Sequence, residues 1–532
     1  MWLSGTKAAV QIEAPLRHLV QAPFQRCEEA FDRFFGGKDN PLRHLGALGL
    51  FLLWIIVGSG IYLYIVIDTG VDQVYESIGD ISRDQWYFGG LLRSLHRYAS
   101  DAFMLVMGLH LVREWAYGRY TGFRFYSWIT GVPLIWLAFA SGIGGYWIVW
   151  DQVAQYSAIA TTELLDWLPI FSEPSARNFL TPASINDRFF TLLVFIHIGL
   201  PILLLAALWA HVHRISHVDH LPSRRLMQGT LATLVLLSLV KPALSTAAAN
   251  LALVPNEIRI DWFILFVHPL TNLTSPAFVW TMLFALTALL VALPFLPQRK
   301  SGPIAVVDPA NCNGCTRCQV DCPYAAVTMA PHPTRRSYQV AVVDASLCAS
   351  CGICAGSCPS STPFRSQETL LTGIDMPQMP VDALRGQLEA KLAALSGDTR
   401  IVVFGCDHGA GLAALDTPDT ATMSLLCAGM LPPSFVEYAL RTGADGVMIA
   451  SCRHGGCEYR LGERWTIERL ARQREPQLRG KVPAERLAAV FVSSNDAATL
   501  SAAVADFRIR LRDLAVADNT LQPYLRRTAH HA

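Results

Sequence analysis

The sequence predicts a multi-domain protein: an all-α transmembrane bundle of about six helices, then a small α+β segment, then a C-terminal α/β domain with a parallel sheet. Three observations predict this order: long apolar runs before residue 300, eight of the 13 cysteines within residues 312–358, and alternating strand and helix patterns after residue 399. The chain is 52% hydrophobic and only 16% charged, which indicates a membrane segment. Its net charge of +1 gives no case for nucleic-acid binding.

Six stretches before residue 300 are predicted to be transmembrane helices, because each approaches the roughly 20 residues that span a bilayer core of about 30 Å. Two are less regular: residues 91–117 carry several charged side chains, and residues 226–240 end at Lys241, which a helix-stopping proline follows. The other four contain no Asp, Glu, Lys or Arg and are residues 45–67, 128–150, 189–211 and 276–296.

The loops on the side of the termini hold more Lys and Arg than the opposite loops, which predicts that both termini are cytoplasmic. We therefore expect a multi-pass protein of the bacterial cytoplasmic (inner) membrane, with the chain beyond residue 300 in the cytoplasm. No signal peptide is expected, because the first apolar run begins after residue 44 and is too long for one.

Four histidines lie on two predicted helices and share one spacing. His96 and His110 are 14 residues apart, and so are His197 and His211. Fourteen residues make almost four helical turns, so each pair shares a face, with about 21 Å between its members. Imidazole is a common axial ligand of haem iron. Satisfied buried histidines or a proton path are the alternatives, but four at matched spacing favour two b-type haems.

Four glycines repeat the same spacing. Gly46 and Gly60 are 14 residues apart on the first predicted helix, and Gly131 and Gly145 on the third. A flat macrocycle between helices needs positions without side chains. Because small residues also allow ordinary close helix packing, the glycines support the haem prediction only together with the histidines.

The segments around the histidines resemble the cytochrome b family of the bc1 and b6f complexes over about residues 40–270. The resemblance is carried by Gly-Gly-Leu-Leu-Arg-Ser-Leu-His at 89–96, Leu-His-Leu-Val-Arg at 109–113, and shorter matches at 144–146, 150–152 and 188–190. It implies two haem pairs, one toward the outer face and one toward the cytoplasmic face, which are His96 with His197 and His110 with His211.

Further site residues follow from the resemblance. It implies that Arg93 and Arg113 pair with haem propionates, with snorkelling to the interface as the alternative.

The family's Pro-Glu-Trp-Tyr quinol motif corresponds here to Ile-Asp-Trp-Phe at 260–263. Asp261 is therefore a candidate acceptor of quinone protons, and an interfacial carboxylate beside an aromatic anchor is the alternative. His217 is a second candidate acceptor of quinone protons, and the alternative is a solvated loop histidine without this role.

The run Cys-x2-Cys-x2-Cys-x3-Cys-Pro occurs at residues 312–323 and again at 348–359. This is the two-cluster bacterial ferredoxin pattern, in which the fourth cysteine of each run binds the other cluster. A zinc site would use paired Cys-x-x-Cys without the third cysteine and the Cys-Pro ending. We predict two [4Fe–4S] clusters: the Cys315 cluster, bound by Cys312, Cys315, Cys318 and Cys358, and the Cys351 cluster, bound by Cys322, Cys348, Cys351 and Cys354.

Four cysteines of the C-terminal region, Cys406, Cys427, Cys452 and Cys457, form a further candidate site, here called the C-terminal centre. Two of them follow predicted strands, and ligands bind where parallel strands end; four unrelated thiols are the alternative. Residues 400–515 resemble the delta subunit of methyl-viologen-reducing hydrogenase through Phe-Gly-Cys at 404–406, Leu-Cys-Ala-Gly at 426–429 and Cys-x4-Cys-Glu-Tyr at 452–459. That resemblance implies a [2Fe–2S] cluster and a flavoprotein donor.

The remaining cysteine, Cys27, is expected to be a buried structural thiol. The predicted segments are a cytoplasmic N-terminal segment (1–44), a di-haem cytochrome b-like membrane domain (45–298), a ferredoxin domain (301–375), a linker (376–398), a hydrogenase-delta-like iron–sulfur domain (399–515) and a tail (516–532).

The order of these redox modules predicts a quinone-reactive oxidoreductase subunit. Electrons would pass from a cytoplasmic flavin-containing dehydrogenase through the iron–sulfur clusters and two b haems to membrane quinone. The alternative is a quinol-oxidising module that drives electrons in reverse to a low-potential acceptor, with bifurcation as one route. A redox or oxygen sensor would need an output domain, and we recognise none. A homodimer is implied by the cytochrome b resemblance alone.

Overall fold

The computed structural model describes residues 3–169, 180–181, 184–254, 257–296, 302–366 and 368–517. The predicted tail lies outside the described residues from 518 onward. The chain divides into two compact units, which are described separately: Met1–Arg214 with Val218–Gln298, and Ile215–His217 with Arg299–Ala532.

The first unit is helical in the part of it that the structure describes, and all six predicted membrane stretches form helices. Within the described residues, four segments are long and apolar enough to cross a membrane: Leu45–Val66, Gly122–Val149, Asp187–Val212 and Pro276–Phe295. The protein is therefore a multi-pass membrane protein. The helices are α1 Leu3–Phe35, α2 Leu45–Val66, α3 Val74–Arg83, α4 Leu91–Ala116, α5 Phe125–Val149, α6 Gln152–Asp166, α7 Asp187–Val212, α8 Arg224–Val240, α9 Val267–Leu273 and α10 Pro276–Ala292.

Local sequence explains where these helices start and stop. The Asn186 side chain caps α7 by accepting hydrogen bonds from two backbone N–H groups, and Asp151 caps α6 by accepting from the backbone N–H of Ala154. Helix α8 ends at Lys241, directly before a proline, as predicted. Helices α5 and α7 each contain a proline, Pro133 and Pro201, which membrane helices tolerate because neighbouring groups satisfy the freed carbonyls.

Helix α2 packs against α4, and α5 packs against α7. Each glycine-bearing helix is thus paired with a histidine-bearing helix. Cys27 on α1 is exposed, so the expectation of a buried thiol is wrong. The buried face of α1 instead carries Glu28 and Asp32, which are one turn apart, and Cys27 points away from it.

The second unit contains three sheets in its described part. Strands β1 Val306–Val307 and β4 Ile374–Asp375 pair antiparallel, as do β2 Val327–Pro331 and β3 Gln339–Val343. The third sheet is parallel, with the order β6-β5-β7-β8, and consists of β5 Ile401–Cys406, β6 Thr420–Leu425, β7 Gly446–Cys452 and β8 Leu487–Val492. Its helices, with those of the cysteine-rich segment, are α11 Arg317–Asp321, α12 Ile353–Ser357, α13 Val381–Ala394, α14 Ser434–Thr442, α15 Gly462–Leu470 and α16 Ala497–Ala517.

The parallel sheet buries apolar side chains on both faces, as parallel strands do. Alternate residues of β5 divide between two cores: Val402 and Phe404 pack in the core that includes α13 and α14, whereas Ile401 and Val403 pack in the core that includes α16. The predicted fold class is therefore confirmed: an all-α membrane part, small antiparallel sheets, and a C-terminal parallel α/β sheet.

Candidate metal centres

Two of the four predicted haem ligands face each other directly. His96 on α4 and His197 on α7 have ring centroids 6.4 Å apart and an interplanar angle of 66°. The rings are too far apart to hydrogen-bond to each other, and one iron fits between them. Their arrangement suits two imidazoles that bind the same iron from opposite sides.

Each of the four histidines has one of the four predicted glycines beside its ring. A side chain at these positions would fill the space around the ring, so the glycines form the cradle that a flat macrocycle requires. A Cβ built on the glycine would lie this far from Cε1 of the histidine: 3.8 Å for Gly46 and His110, 3.1 Å for Gly60 and His96, 3.1 Å for Gly131 and His211, and 2.8 Å for Gly145 and His197. The residues present therefore fit two haems.

Hydrogen bonds orient the rings of His96 and His197. Nδ1 of His96 lies 3.0 Å from the carbonyl oxygen of Ile56, and Nδ1 of His197 lies 3.1 Å from that of Ser141. A carbonyl can only accept, so each Nδ1 carries the proton and donates it. The unprotonated Nε2 is then left to bind iron, the usual arrangement of ligating histidines.

The two predicted propionate partners already have protein partners. Arg93 donates to the hydroxyls of Ser82 at 2.6 Å and Ser245 at 2.8 Å. Arg113 is buried, and its Nε donates to Oε1 of Glu28 at 2.8 Å. Glu28 lies on α1, before the region that resembles cytochrome b, so the resemblance alone did not reveal this carboxylate. The propionate role of both arginines stays a prediction.

Asp261 lies in a partly buried polar group that sequence reasoning did not assemble. Its Oδ2 accepts hydrogen bonds from Arg97 and from the Tyr146 hydroxyl, each at 2.5 Å, and Oδ1 accepts from the backbone N–H of Phe263 at 2.7 Å. Arg97 also pairs with Asp101, one turn further along α4. That i, i+4 spacing was the available signal. The contacts exceed those of a solvated interfacial carboxylate, and the role in proton transfer stays a prediction.

His217 belongs to the second unit. Its Nε2 donates to the carbonyl oxygen of Val320 at 2.9 Å, and its ring meets that of Trp465 edge-on at 5.3 Å. Its backbone carbonyl accepts from Arg460 at 3.1 Å. The protein engages Nε2 of this ring, and the quinone role of His217 stays a prediction.

The ligands predicted for the Cys351 cluster line one cavity, together with mostly apolar neighbours such as Tyr324 and Met376. The four are Cys322, Cys348, Cys351 and Cys354. Burial raises the pKa of the Cys354 thiol well above its usual value, and the other three thiols add to this effect. Burial therefore opposes ionisation of Cys354 unless positive charge lies beside it, which cluster iron would supply.

The ligands predicted for the Cys315 cluster also lie together. Burial raises the pKa of Cys318 to about 12, and the nearby thiols of Cys358, Cys315 and Cys312 act in the same direction. Cys315 is exposed, whereas Cys312 and Cys318 are buried. Both predicted sets of four thus form local groups in the structure.

The four cysteines of the C-terminal centre converge although they are up to 51 residues apart in sequence. Cys406 ends β5 and Cys452 ends β7, and their Sγ atoms lie 3.6 Å apart. Hydrogen bonds from Cys427 and Cys452 lower the pKa of the Cys406 thiol, and the same two partners lower that of Cys457. All four are buried. Thiolates stabilised in a buried group suit a metal cluster.

Comparison with known proteins places these sites in families. Residues 40–218 match the family "cytochrome b/b6/petB", residues 311–362 the "4Fe-4S dicluster domain" and residues 399–515 "methyl-viologen-reducing hydrogenase, delta subunit". Cytochrome b of Rhodospirillum rubrum is 28% identical over 177 residues, which are 32% of this chain and 42% of that protein. The chain thus spans under half the length of this curated relative.

A solved structure described as a hyperthermophilic respiratory Complex III matches 48% of this chain and 75% of its own, with 21% identity and a TM-score of 0.39. The cytochrome b match implies haem b, and the dicluster match implies [4Fe–4S] clusters. The three predicted resemblances are confirmed: in chain order, the protein carries a segment matching cytochrome b, a 4Fe–4S dicluster domain, and a domain matching the delta subunit of methyl-viologen-reducing hydrogenase.

Proposed function

We propose that the protein is the membrane electron-transfer subunit of a respiratory-type oxidoreductase complex. It passes electrons from a cytoplasmic flavin-containing dehydrogenase through iron–sulfur clusters and two b haems to membrane quinone. One observation carries the proposal: a single polypeptide holds glycine-cradled histidines in apolar helices and three groups of four cysteines. The membrane is taken to be the bacterial cytoplasmic membrane, and a homodimer is compatible with the cytochrome b match.

The chain's own residues hold and insulate the carriers. Haems and iron–sulfur clusters, when bound, supply one-electron oxidation and reduction. With two histidines to hold each haem, no iron position would stay open for a gas, which favours electron transfer over oxygen sensing. The four cysteines of the C-terminal centre are buried, which keeps water from that site. The hydrogen-bonded Nδ1 atoms of His96 and His197 fix the rings that would bind iron.

Asp261 is the proposed site of quinone-linked proton exchange. Arg97 and Tyr146 both donate to its Oδ2, so a proton arriving at this carboxylate would replace one of these hydrogen bonds. Tyr146 carries a hydroxyl that can pass a proton on, because it both donates and accepts. The group thus offers an acceptor and a relay beside each other.

The group of Asp261, Arg97 and Tyr146 also supports electron flow in the opposite direction. Asp261 stands at the loop that corresponds to the family's quinol motif, so quinol oxidation there could send electrons to a low-potential acceptor. Midpoint potentials discriminate the two: potentials that rise steadily from the C-terminal centre to the haems favour quinone reduction, and a fall favours the reverse.

Anaerobic stopped-flow spectroscopy of the purified full chain tests the quinone proposal. The dithionite-reduced protein is mixed with a short-chain quinone while haem absorbance is followed. We expect rapid haem oxidation that Asp261→Asn slows at least tenfold and that Asp84→Asn, a change at an exposed carboxylate, leaves unchanged. If haem absorbance responds to neither quinone nor quinol, the proposal fails.

A further inference from the structure

We propose that the Cys351 cluster, not the Cys315 cluster, exchanges electrons directly with the C-terminal centre, and that Arg469 is the positioning residue of this junction. The inference rests on the proposed function, because it assumes that both sites hold iron–sulfur clusters. The sequence does not show which of the two [4Fe–4S] clusters is next to the C-terminal centre, and the inference assigns that order.

A dry apolar contact joins the two sites. Cys351 of the ferredoxin segment and Cys427 of the C-terminal centre belong to one cluster of contacting buried residues, with Ile353, Leu461 and Trp465. No ligand of the Cys315 cluster belongs to this group among the residues that the structure describes.

The backbones of the two segments touch where glycine allows it. A Cβ at Gly356 on α12 would overlap the carbonyl oxygen of Gly429, two residues beyond Cys427. A Cβ at Gly429 would lie 3.2 Å from Cγ1 of Ile353, and one at Gly352 would lie 2.7 Å from Sδ of Met430. Electron tunnelling falls steeply with distance through protein, so the close approach of these two segments favours transfer here.

Arg469 holds this junction together. It is 1% exposed, its Nη1 donates to the carbonyl oxygen of Gly429 at 2.7 Å, and its Nη2 donates to Oδ2 of Asp321 at 2.5 Å and to Oγ of Ser357 at 2.6 Å. Asp321 precedes Cys322, a ligand of the Cys351 cluster. A planar guanidinium holds these acceptors at fixed angles, whereas the three donors of a lysine ammonium rotate about a compact point charge.

The transfer step is a simple one-electron exchange. The C-terminal centre, reduced by the flavin hydroquinone of the proposed donor, loses one electron and the Cys351 cluster gains it. No bond forms or breaks and no proton moves, which suits a junction closed to water.

Electron paramagnetic resonance of the full-length protein tests the order. With all clusters reduced, a neighbouring paramagnet speeds the spin relaxation of the C-terminal centre. The matched variants are Cys315→Ala and Cys348→Ala, which each remove one of the less buried ligands of one cluster. We expect fast relaxation to persist in C315A, and the half-saturation power of the C-terminal signal to fall at least tenfold in C348A. The proposed order is overturned if fast relaxation of the C-terminal centre is lost in C315A, or if it persists in C348A.

A second pair of variants keeps every ligand. Arg469→Lys should lower the half-saturation power severalfold at unchanged iron content, whereas Arg464→Lys, at a half-exposed arginine on the same helix, should leave it unchanged. An unchanged relaxation in R469K refutes the positioning role. These measurements involve no quinone, so a failed quinone assay leaves them standing, and their failure leaves quinone reactivity untouched.

Discussion

Adding one methyl group at Gly145 should selectively displace the haem bound by His197. A Cβ at Gly145 would lie 2.8 Å from Cε1, 3.4 Å from Nδ1 and 3.6 Å from Nε2 of the His197 ring. Ordinary carbon–carbon contacts lie at about 3.5–4.0 Å, so the ring must move by roughly 0.7 Å or more. The atoms that clash belong to the ring that binds iron, and the displacement therefore falls on the ligand itself.

The cost follows from packing. Overpacking a well-filled site costs about 1–3 kcal/mol, and since each 1.4 kcal/mol is tenfold in affinity, roughly 5- to 150-fold weaker haem binding is expected at this site. The assay is the ratio of haem to polypeptide, measured by the pyridine haemochromogen spectrum of purified Gly145→Ala. The ratio should fall from two toward one, while the second haem keeps its redox midpoint.

Gly144 supplies the matched control, because nothing lies within 4 Å of a Cβ there. Gly144→Ala should keep both haems, and Gly46→Ala, where the distance is an ordinary 3.8 Å, should lose little. Equal losses of haem in G144A and G145A would refute the proposal that glycines make room for the haem. A larger loss of haem in G46A than in G145A would refute it too.

Three further changes are expected to have defined effects. Glu28→Gln leaves Arg113 buried without a full counter-charge, which should cost about 3–5 kcal/mol in unfolding free energy, measured by thermal or denaturant unfolding in detergent. Cys406→Ser should abolish the paramagnetic signal of the C-terminal centre and spare those of both [4Fe–4S] clusters. Burial raises the pKa of Glu468, but hydrogen bonds from Arg474 and Arg464 outweigh it and lower that pKa. Glu468→Gln should therefore reduce the stability of the fold at pH 7. It should have little effect once the pH falls below the pKa that Glu468 has in the folded state.

Each of these has a result that contradicts it. Glu29→Gln, at the neighbouring carboxylate outside the Arg113 contact, is the control for Glu28, and an equal loss in both refutes the buried pair. An intact C-terminal signal in Cys406→Ser removes that thiol from the centre. A stability loss in Glu468→Gln that grows toward acid pH would reverse the sign of the linkage.

Much of the architecture followed from local pattern. Uncharged runs of 20 residues have few stable states other than a membrane helix, because only a helix satisfies every backbone group in lipid. The 14-residue repeat of His96 and His110 follows from helix geometry alone. Local pattern does not predict strand β6, because its Thr-Ala-Thr-Met-Ser-Leu sequence lacks the continuous apolar run that marks a buried parallel strand.

The sequence by itself determined which residues carry chemistry: helical periodicity selects the histidines and glycines, and fixed cysteine spacing selects the ferredoxin ligands. Only the tertiary structure decided which of them meet. The pairing of Glu28 with Arg113, the group around Asp261, and the Arg469 contact with Asp321 join residues 85, 115 to 164 and 148 positions apart. Such contacts depend on how whole elements pack, and no short-range pattern encodes that packing.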